Sequence, residues 1–266
     1  MPSKQPTIVN PAKQILKSGG PLFGFNVFES LRPSVVKIAA RAGYNLLFVE
    51  NEHVAHNEET LTNFLVLARD NGLAPTVTAL VPDRPFVSRM LDAGALGICL
   101  SHADRPDQVE DLVRWMKYAP VGQRGLAMDA NVDHAAVDAA RYCQEANDAT
   151  LLLLKIESWQ GVENAEAMLS NQWVDGVVFG PGDLAATMGF HGQWEHPEVI
   201  KAMQSVIDIA LAKGLATEPA IYPKSHEEFE HQRQAGIQLF GLLRSSEYDL
   251  LRQGATQAIS IYQSEL

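Results

Sequence analysis

Along nearly the whole chain, short apolar runs alternate with stretches in which apolar residues return every three or four positions. The runs predict strands over residues 21–28, 45–51, 74–80, 97–101, 150–157, 174–181, 216–221 and 238–243. Between them a helical period covers 32–42, 58–71, 85–93, 106–118, 132–147, 196–213 and 225–235, and a last helix starts at Ser246. Five of these helical stretches stop at a glycine (Gly43, Gly72, Gly94, Gly214 and Gly236), and a strand follows each. Runs such as LLLLKIE and DGVVFG are apolar on both faces, as parallel strands are when helices or a barrel wall cover them.

Eight strand-then-helix units match the arithmetic of a (β/α)8 TIM barrel, which typically takes about 250 residues. An open doubly wound sheet would carry a glycine-rich loop after its first strand, and GFNVFES offers none. No linker interrupts the pattern, so residues 1–266 are expected to form one α/β domain. The stretch 122–131, GQRGLAMDAN, is a long connection before the fifth strand, and such loops in compact domains are often functional.

Composition narrows the partners. Apolar residues make up 46% of the chain and charged residues 20%, enough for a large core. No apolar run approaches the ~20 residues that span a bilayer, and the first ten residues contain no apolar signal segment. Cys99 and Cys143 are far apart in sequence and form no metal or redox motif, which fits a reduced, cytoplasmic protein. A net charge of −11 argues against nucleic acid and anionic membranes. Small anionic substrates stay open, because one or two local cations suffice to bind them.

A TIM barrel works at the C-terminal ends of its strands, so polar residues there carry the argument. The second strand ends in FVENEHVAHN, which crowds Glu50, Glu52 and His53 at one exit. A carboxylate beside an imidazole makes a general base, although a solvated loop with one of the chain's eight histidines explains the residues equally well. The fifth strand ends in LLLLKIES, where Lys155 and Glu157 share a face and interrupt an apolar run. Buried charges cost several kcal/mol unless paired or metal-bound. Asp183, in VVFGPGDLAATMG at the sixth exit, reads alone as a helix N-cap. Beside Glu157 on the neighbouring strand it reads differently, since two carboxylates at one mouth repel unless a cation lies between them. Oxygen ligands of this kind fit Mg2+ or Mn2+. A metal Lewis acid beside a histidine base suits enolate chemistry, of which reversible aldol cleavage is the simplest case.

These motifs resemble the HpcH/HpaI aldolase (citrate lyase β-like) family, the class II metal-dependent aldolases of 2-oxo acids. The resemblance runs from Gly24 to about Leu251, and its most specific pieces are NEHVAHNEETL, LDAGALGICL, YAPVGQRG, LLLKIES and VDGVVFGPGDLAATMG, followed by HPEV. It implies Glu157 and Asp183 as metal ligands for Mg2+, Mn2+ or Co2+, His53 as the acid/base residue, and Glu50 in the place of the family's aspartate partner. It also implies that main-chain N–H groups of Gly182 and Asp183 hold the substrate carboxylate. A homo-oligomer, a hexamer built as a trimer of dimers with an exchanged C-terminal helix, is implied as well.

The chain departs from the family where a substrate-binding arginine is expected, because APTVTALVPDRP puts Thr78 there. The charge and bidentate grip of that arginine are lost. Lys155, where the family has glutamine, and Arg244, at the end of the eighth strand, are candidates to restore the positive charge. The opposing reading is that Lys155 only neutralises Glu157 or Asp183 and weakens metal binding. Ser101 and His102 end the fourth strand, with Ser101 expected to shape the substrate pocket and His102 to line it. Glu218 is read either as a second acidic group or as half of a buried ion pair. The expected activity is a metal-dependent carbon–carbon lyase cleaving or forming a 4-hydroxy-2-oxo acid. The alternatives are citrate-synthase-like or acyl-CoA lyase-like condensation, a Lys155 Schiff base, and a catalytically retired small-molecule-binding barrel.

Overall fold

A computed structural model describes residues 8–242 and 246–263. Eight parallel strands are present: β1 (Leu22–Val27), β2 (Leu46–Val49), β3 (Ala74–Ala79), β4 (Gly97–Leu100), β5 (Leu151–Ile156), β6 (Gly176–Phe179), β7 (Ala216–Thr217) and β8 (Leu239–Phe240). Their order is β7-β6-β5-β4-β3-β2-β1-β8. The N–H of Gln238 donates to Thr217 O at 3.3 Å and draws the two end strands together. The ladder therefore curls into a nearly closed (β/α)8 barrel, as the alternation of apolar runs and helical stretches predicts.

Residue parity sorts each strand into an inside and an outside. Leu22, Leu46, Phe48, Ala74, Cys99, Leu151, Leu153, Val178, Ala216 and Leu239 pack together in one buried cluster. Residues of the opposite parity, among them Phe25, Leu47, Val49, Val77, Ile98, Leu152, Leu154 and Val177, pack outward in another cluster with the helices. Both faces of each strand are thus buried, which is why the strand signal is a continuous apolar run.

The outer layer contains α2 (Pro33–Ala42), α3 (Glu58–Asp70), α4 (Arg84–Asp92), α5 (Pro106–Met116), α6 (Ala139–Ala149), α7 (Trp159–Met168), α8 (Pro181–Thr187), α9 (Pro197–Ala212), α10 (His226–Gln234) and α11 (Glu247–Gln263). The five glycines that end helices all have positive φ, from 69° to 102°, where a side chain would be strained. Among the described residues, no helix is long and apolar enough to cross a membrane.

Three local features differ from the sequence expectation. A seven-residue helix, α1 (Pro11–Lys17), precedes the barrel and plugs its N-terminal end with Ala12, Ile15 and Leu16. Asn10 anchors it by donating to Leu96 O at 2.8 Å and Ala149 O at 2.7 Å. Two turns are too short to show a period in sequence. The helix expected at 132–147 begins only at Ala139, because Asp133 and His134 adopt positive φ and Asp138 caps Arg141 N. The seventh and eighth strands shrink to two residues each, and Glu218, Pro219, Ala220 and Ile221 of the seventh run lie outside the strand and line a cavity beside Pro181 and Gly182. Arg124 holds the long connection, pairing with Asp92 at 2.6 Å and stacking over Tyr118.

Candidate active site

Toward the C-terminal mouth the inward parity continues but the residue type changes. Asn26, Glu50, Thr78, Ser101, Lys155, Glu157 and Glu218 replace the apolar residues below them, and all are buried. A polar layer inside a barrel is costly unless its groups satisfy one another or a ligand, so this layer marks the site.

Glu157, fully buried at the end of β5, is its centre. Its Oε1 accepts the main-chain N–H of His102 at 2.7 Å. Its Oε2 lies 2.9 Å from Lys155 Nζ, an ion-pair distance, but receives no hydrogen bond of good geometry. On the β6 side only a glycine fits, because a Cβ on Gly180 would stand 2.3 Å from that oxygen. Burial pushes the Glu157 carboxyl above its ordinary range, and Lys155 offsets this in part.

Lys155 reaches two carboxylates, with Nζ also 3.5 Å from Glu52 Oε2. Burial disfavours its charge, but Glu157, Glu50 and Glu52 together outweigh burial and hold the ammonium above the usual lysine range. Glu52 is held below its ordinary value: burial opposes ionisation, but Lys155, the Ser101 hydroxyl and His102 overcome it. Ser101 is fully buried near Glu52, and its hydroxyl makes no hydrogen bond of good geometry among the described residues.

The exits of β4 and β5 are stitched together. Ala103 N–H donates to Lys155 O at 3.2 Å, and the Ser158 hydroxyl, which caps α7, also bonds Asp104. Between these ties His102 adopts φ 45°, an uncommon conformation for a non-glycine residue and a form of strain found at functional sites. Its Nε2 lies 3.1 Å from Glu52 Oε1 and its Nδ1 4.0 Å from Glu157 Oε1. Glu52, His102 and Glu157 together form a cluster of potential metal ligands.

The other expected residues are spread around this centre. The Glu50 carboxylate accepts the Thr78 hydroxyl at 3.2 Å and Glu52 N–H at 2.6 Å. Thr78 Oγ1 in turn accepts Asn51 N–H at 2.7 Å. Both side chains thus brace the β2 exit, and the Thr78 hydroxyl is occupied by protein partners. His53 is exposed on the same exit, close enough for its charge to act on Glu52. Gly182 and Asp183 are exposed in the first turn of α8. Arg244 lies outside the described residues.

The Glu52–His102 contact was not legible as a pair. Ser101-His102 was visible at a strand exit, but only the turn of His102 into positive φ brings its ring over Glu52. Glu218 is a buried acidic group at the end of β7. It accepts Phe179 N–H at 3.2 Å and the Tyr222 hydroxyl, and burial pushes its carboxyl up to about 7.

The HpcH/HpaI aldolase/citrate lyase family matches residues 27–242. A 2-keto-3-deoxy-L-rhamnonate aldolase of Salmonella paratyphi B is 31% identical over 224 residues, which cover 81% of this chain and 82% of the relative. The crystal structure of an HpcH/HpaI aldolase from Desulfitobacterium hafniense DCB-2 superposes with a TM-score of 0.87 at 27% identity, covering 97% of this chain and 98% of that one. A Burkholderia cenocepacia J2315 protein, described as an HpcH/HpaI aldolase/citrate lyase family member, superposes at 0.82 with 28% identity, covering 96% and 100%.

Proposed function

The chain belongs to the HpcH/HpaI aldolase/citrate lyase family, and from that membership we propose that it breaks and forms the carbon–carbon bond of a 4-hydroxy-2-oxo acid or a related oxo acid. It is an enzyme of the class II aldolase type. The observation that carries the reading is Glu157 Oε2, a fully buried carboxylate oxygen that faces the Lys155 ammonium at 2.9 Å without a hydrogen bond of good geometry and is approached by a residue that must be glycine. Such an oxygen suits a divalent cation, and Glu157 with Asp183 would hold Mg2+ or Mn2+, with Co2+ a third candidate. When bound there, the ion supplies Lewis acidity toward the 2-oxo group.

The remaining work falls to the chain's own groups. The main-chain N–H groups of Gly182 and Asp183 hold the substrate carboxylate, and Lys155 brings the positive charge that Thr78 lacks. Cleavage requires the C4 hydroxyl to lose its proton as the C3–C4 bond breaks, and C3 to gain one afterwards. His53 carries that proton, and Glu50 fixes the β2 exit on which His53 stands. A second reading of the proton carrier rests on one distance: His102 Nε2 lies 3.1 Å from Glu52 Oε1, the carboxylate–imidazole contact that a general base uses.

The assembly is a homo-oligomer in which α11 crosses to a second copy. Leu251, Ile261 and Tyr262 on this helix are 73%, 73% and 80% exposed, a burden a free helix would not keep. The deciding experiment is deuterium exchange into the methyl group of pyruvate, followed by NMR with Mn2+ and with a chelator. Exchange that needs the ion and disappears in Glu157→Gln is the expected result. Exchange that is indifferent to both removes the metal from the reading.

A further inference from the structure

The ladder between β6 and β7 ends early. Thr217, the last residue of β7, pairs with Val177, while β6 runs on to Phe179. The sequence explains the stop: Pro219 has no N–H to give a ladder, and the Glu218 carbonyl accepts the Thr217 hydroxyl at 3.1 Å. Successive N–H groups of a parallel strand point to opposite neighbours. Gly180 N–H donates to Ile156 O of β5 at 3.0 Å, so Phe179 N–H turns toward β7, where no strand remains. The Glu218 side chain fills the gap, its Oε2 accepting Phe179 N–H at 3.2 Å. The Tyr222 hydroxyl donates to the other oxygen, Oε1, and holds the carboxyl in place.

Two consecutive N–H groups are thus tied to opposite sides, just before the Gly180–Asp183 turn. Gly180 opens α8 without a side-chain cap, so the turn depends on these ties. It also has no slack toward Glu157, because even a Cβ on Gly180 would stand 2.3 Å from Oε2. A shift at Phe179 therefore moves the N–H groups of Gly182 and Asp183 relative to Glu157. Glu218 is 1% exposed, and burying a carboxyl is costly unless its oxygens are satisfied. Each oxygen here has a donor, and neither donor is a cation, so the carboxyl fixes backbone rather than balancing charge.

We propose that Glu218 is a positioning residue that, through Phe179 N–H, sets the Gly180–Asp183 turn against Glu157, with Tyr222 fixing the carboxyl that does so. The proposal rests on the lyase reading above, in which this turn holds the substrate carboxylate. Its test takes wild type, Glu218→Leu, Glu218→Gln and Tyr222→Phe. KM and kcat are measured for deuterium exchange into pyruvate with Mn2+. Amide hydrogen exchange of residues 176–187 is read by mass spectrometry without metal or pyruvate.

Glu218→Leu raises KM for pyruvate about tenfold, the worth of one good hydrogen bond, with kcat nearly unchanged, because the turn binds the carboxylate equally before and during reaction. The turn also exchanges faster. Glu218→Gln keeps an acceptor for Phe179 N–H and restores both readouts toward wild type. Tyr222→Phe raises KM about threefold, as a smaller loss of the same support. Equal losses in the Leu and Gln variants, a wild-type KM in Glu218→Leu, or a fall in kcat alone overturn the proposal. Should Glu218→Leu fail to fold, wild-type KM and turn exchange in Tyr222→Phe overturn it instead. No pyruvate exchange in wild type overturns the lyase reading, whereas amide exchange of the turn upholds or overturns the tie on its own.

Discussion

Lys155 Nζ lies 2.9 Å from Glu157 Oε2, so the ammonium occupies the buried carboxylate oxygen for which a divalent ion at the proposed site would compete. Without the ion, the lysine neutralises a carboxylate that would otherwise be costly to bury. A bound ion would displace the lysine and free it to face the substrate. Lys155→Met is therefore expected to lower the melting temperature of the metal-free protein, since removing one partner of a buried pair costs about 3–5 kcal/mol. Mn2+ restores most of that loss and binds more tightly than to wild type in a calorimetric titration, while pyruvate affinity falls. A variant with unchanged metal affinity and unchanged melting would show that the two cations do not compete.

Asp183→Asn tests the proposed second ligand from a different side. Asp183 is exposed and near the start of α8, so the substitution leaves the fold almost undisturbed. Its expected effect is a loss of Mn2+ affinity of tenfold or more, read by electron paramagnetic resonance, with melting of the metal-free protein unchanged. Full affinity in this variant would leave the cation to Glu157, Glu52 and His102.

The brace at the β2 exit predicts a coupled loss. Thr78→Val removes the hydroxyl shared by Glu50 Oε1 and Asn51 N. An unsatisfied buried group costs about 1–3 kcal/mol. Urea denaturation should show a destabilisation of that size, and kcat should fall because Glu52 and His53 lose their support. A drop in stability with kcat intact would confine Thr78 to the fold.

Two buried groups predict opposite pH slopes. Glu218 has a pKa raised from 4.5 to about 7 by burial, so the folded chain retains a proton that the unfolded chain has shed. Its contribution to stability is fully present below pH 4.5 and is lost as pH rises through 7. Comparing Glu218→Gln with wild type across that window should show the wild type losing ground as pH increases.

Lys117 behaves in the reverse sense. Burial lowers its pKa from 10.5 to about 7, although Nζ donates to Asn147 O at 2.6 Å and Thr150 O at 3.0 Å. Stability linked to this group is fully present above pH 10.5 and is lost as pH falls through 7. In Lys117→Met the wild-type rise in the denaturation midpoint between those values should flatten. A parallel pH profile in wild type and variant would mean that the carbonyl oxygens keep the ammonium charged.

The order of strands and helices along the chain, the glycine stops and the place of Glu157 at a strand end were all written in local sequence. Burial on both faces leaves continuous apolar runs, and a helix that must stop before a strand needs a residue tolerating positive φ. The inward parity of Lys155 and Glu157 follows from the two-residue period of a strand and needs no further information. Helix α1 escaped because two turns show no period, and the short seventh and eighth strands escaped because an apolar loop reads like an apolar strand.

Residue types and spacing determined that this is a barrel with an acidic, histidine-bearing mouth. Tertiary structure alone decided who touches whom there: that Thr78 serves Glu50, that the carboxylate beside His102 is Glu52, and that Glu218 borders a chamber with Tyr222. The reason is geometric. Periodicity fixes which way a side chain leaves its own strand, but contacts between exits depend on loop conformations such as φ 45° at His102, which neighbouring strands impose and no local pattern records.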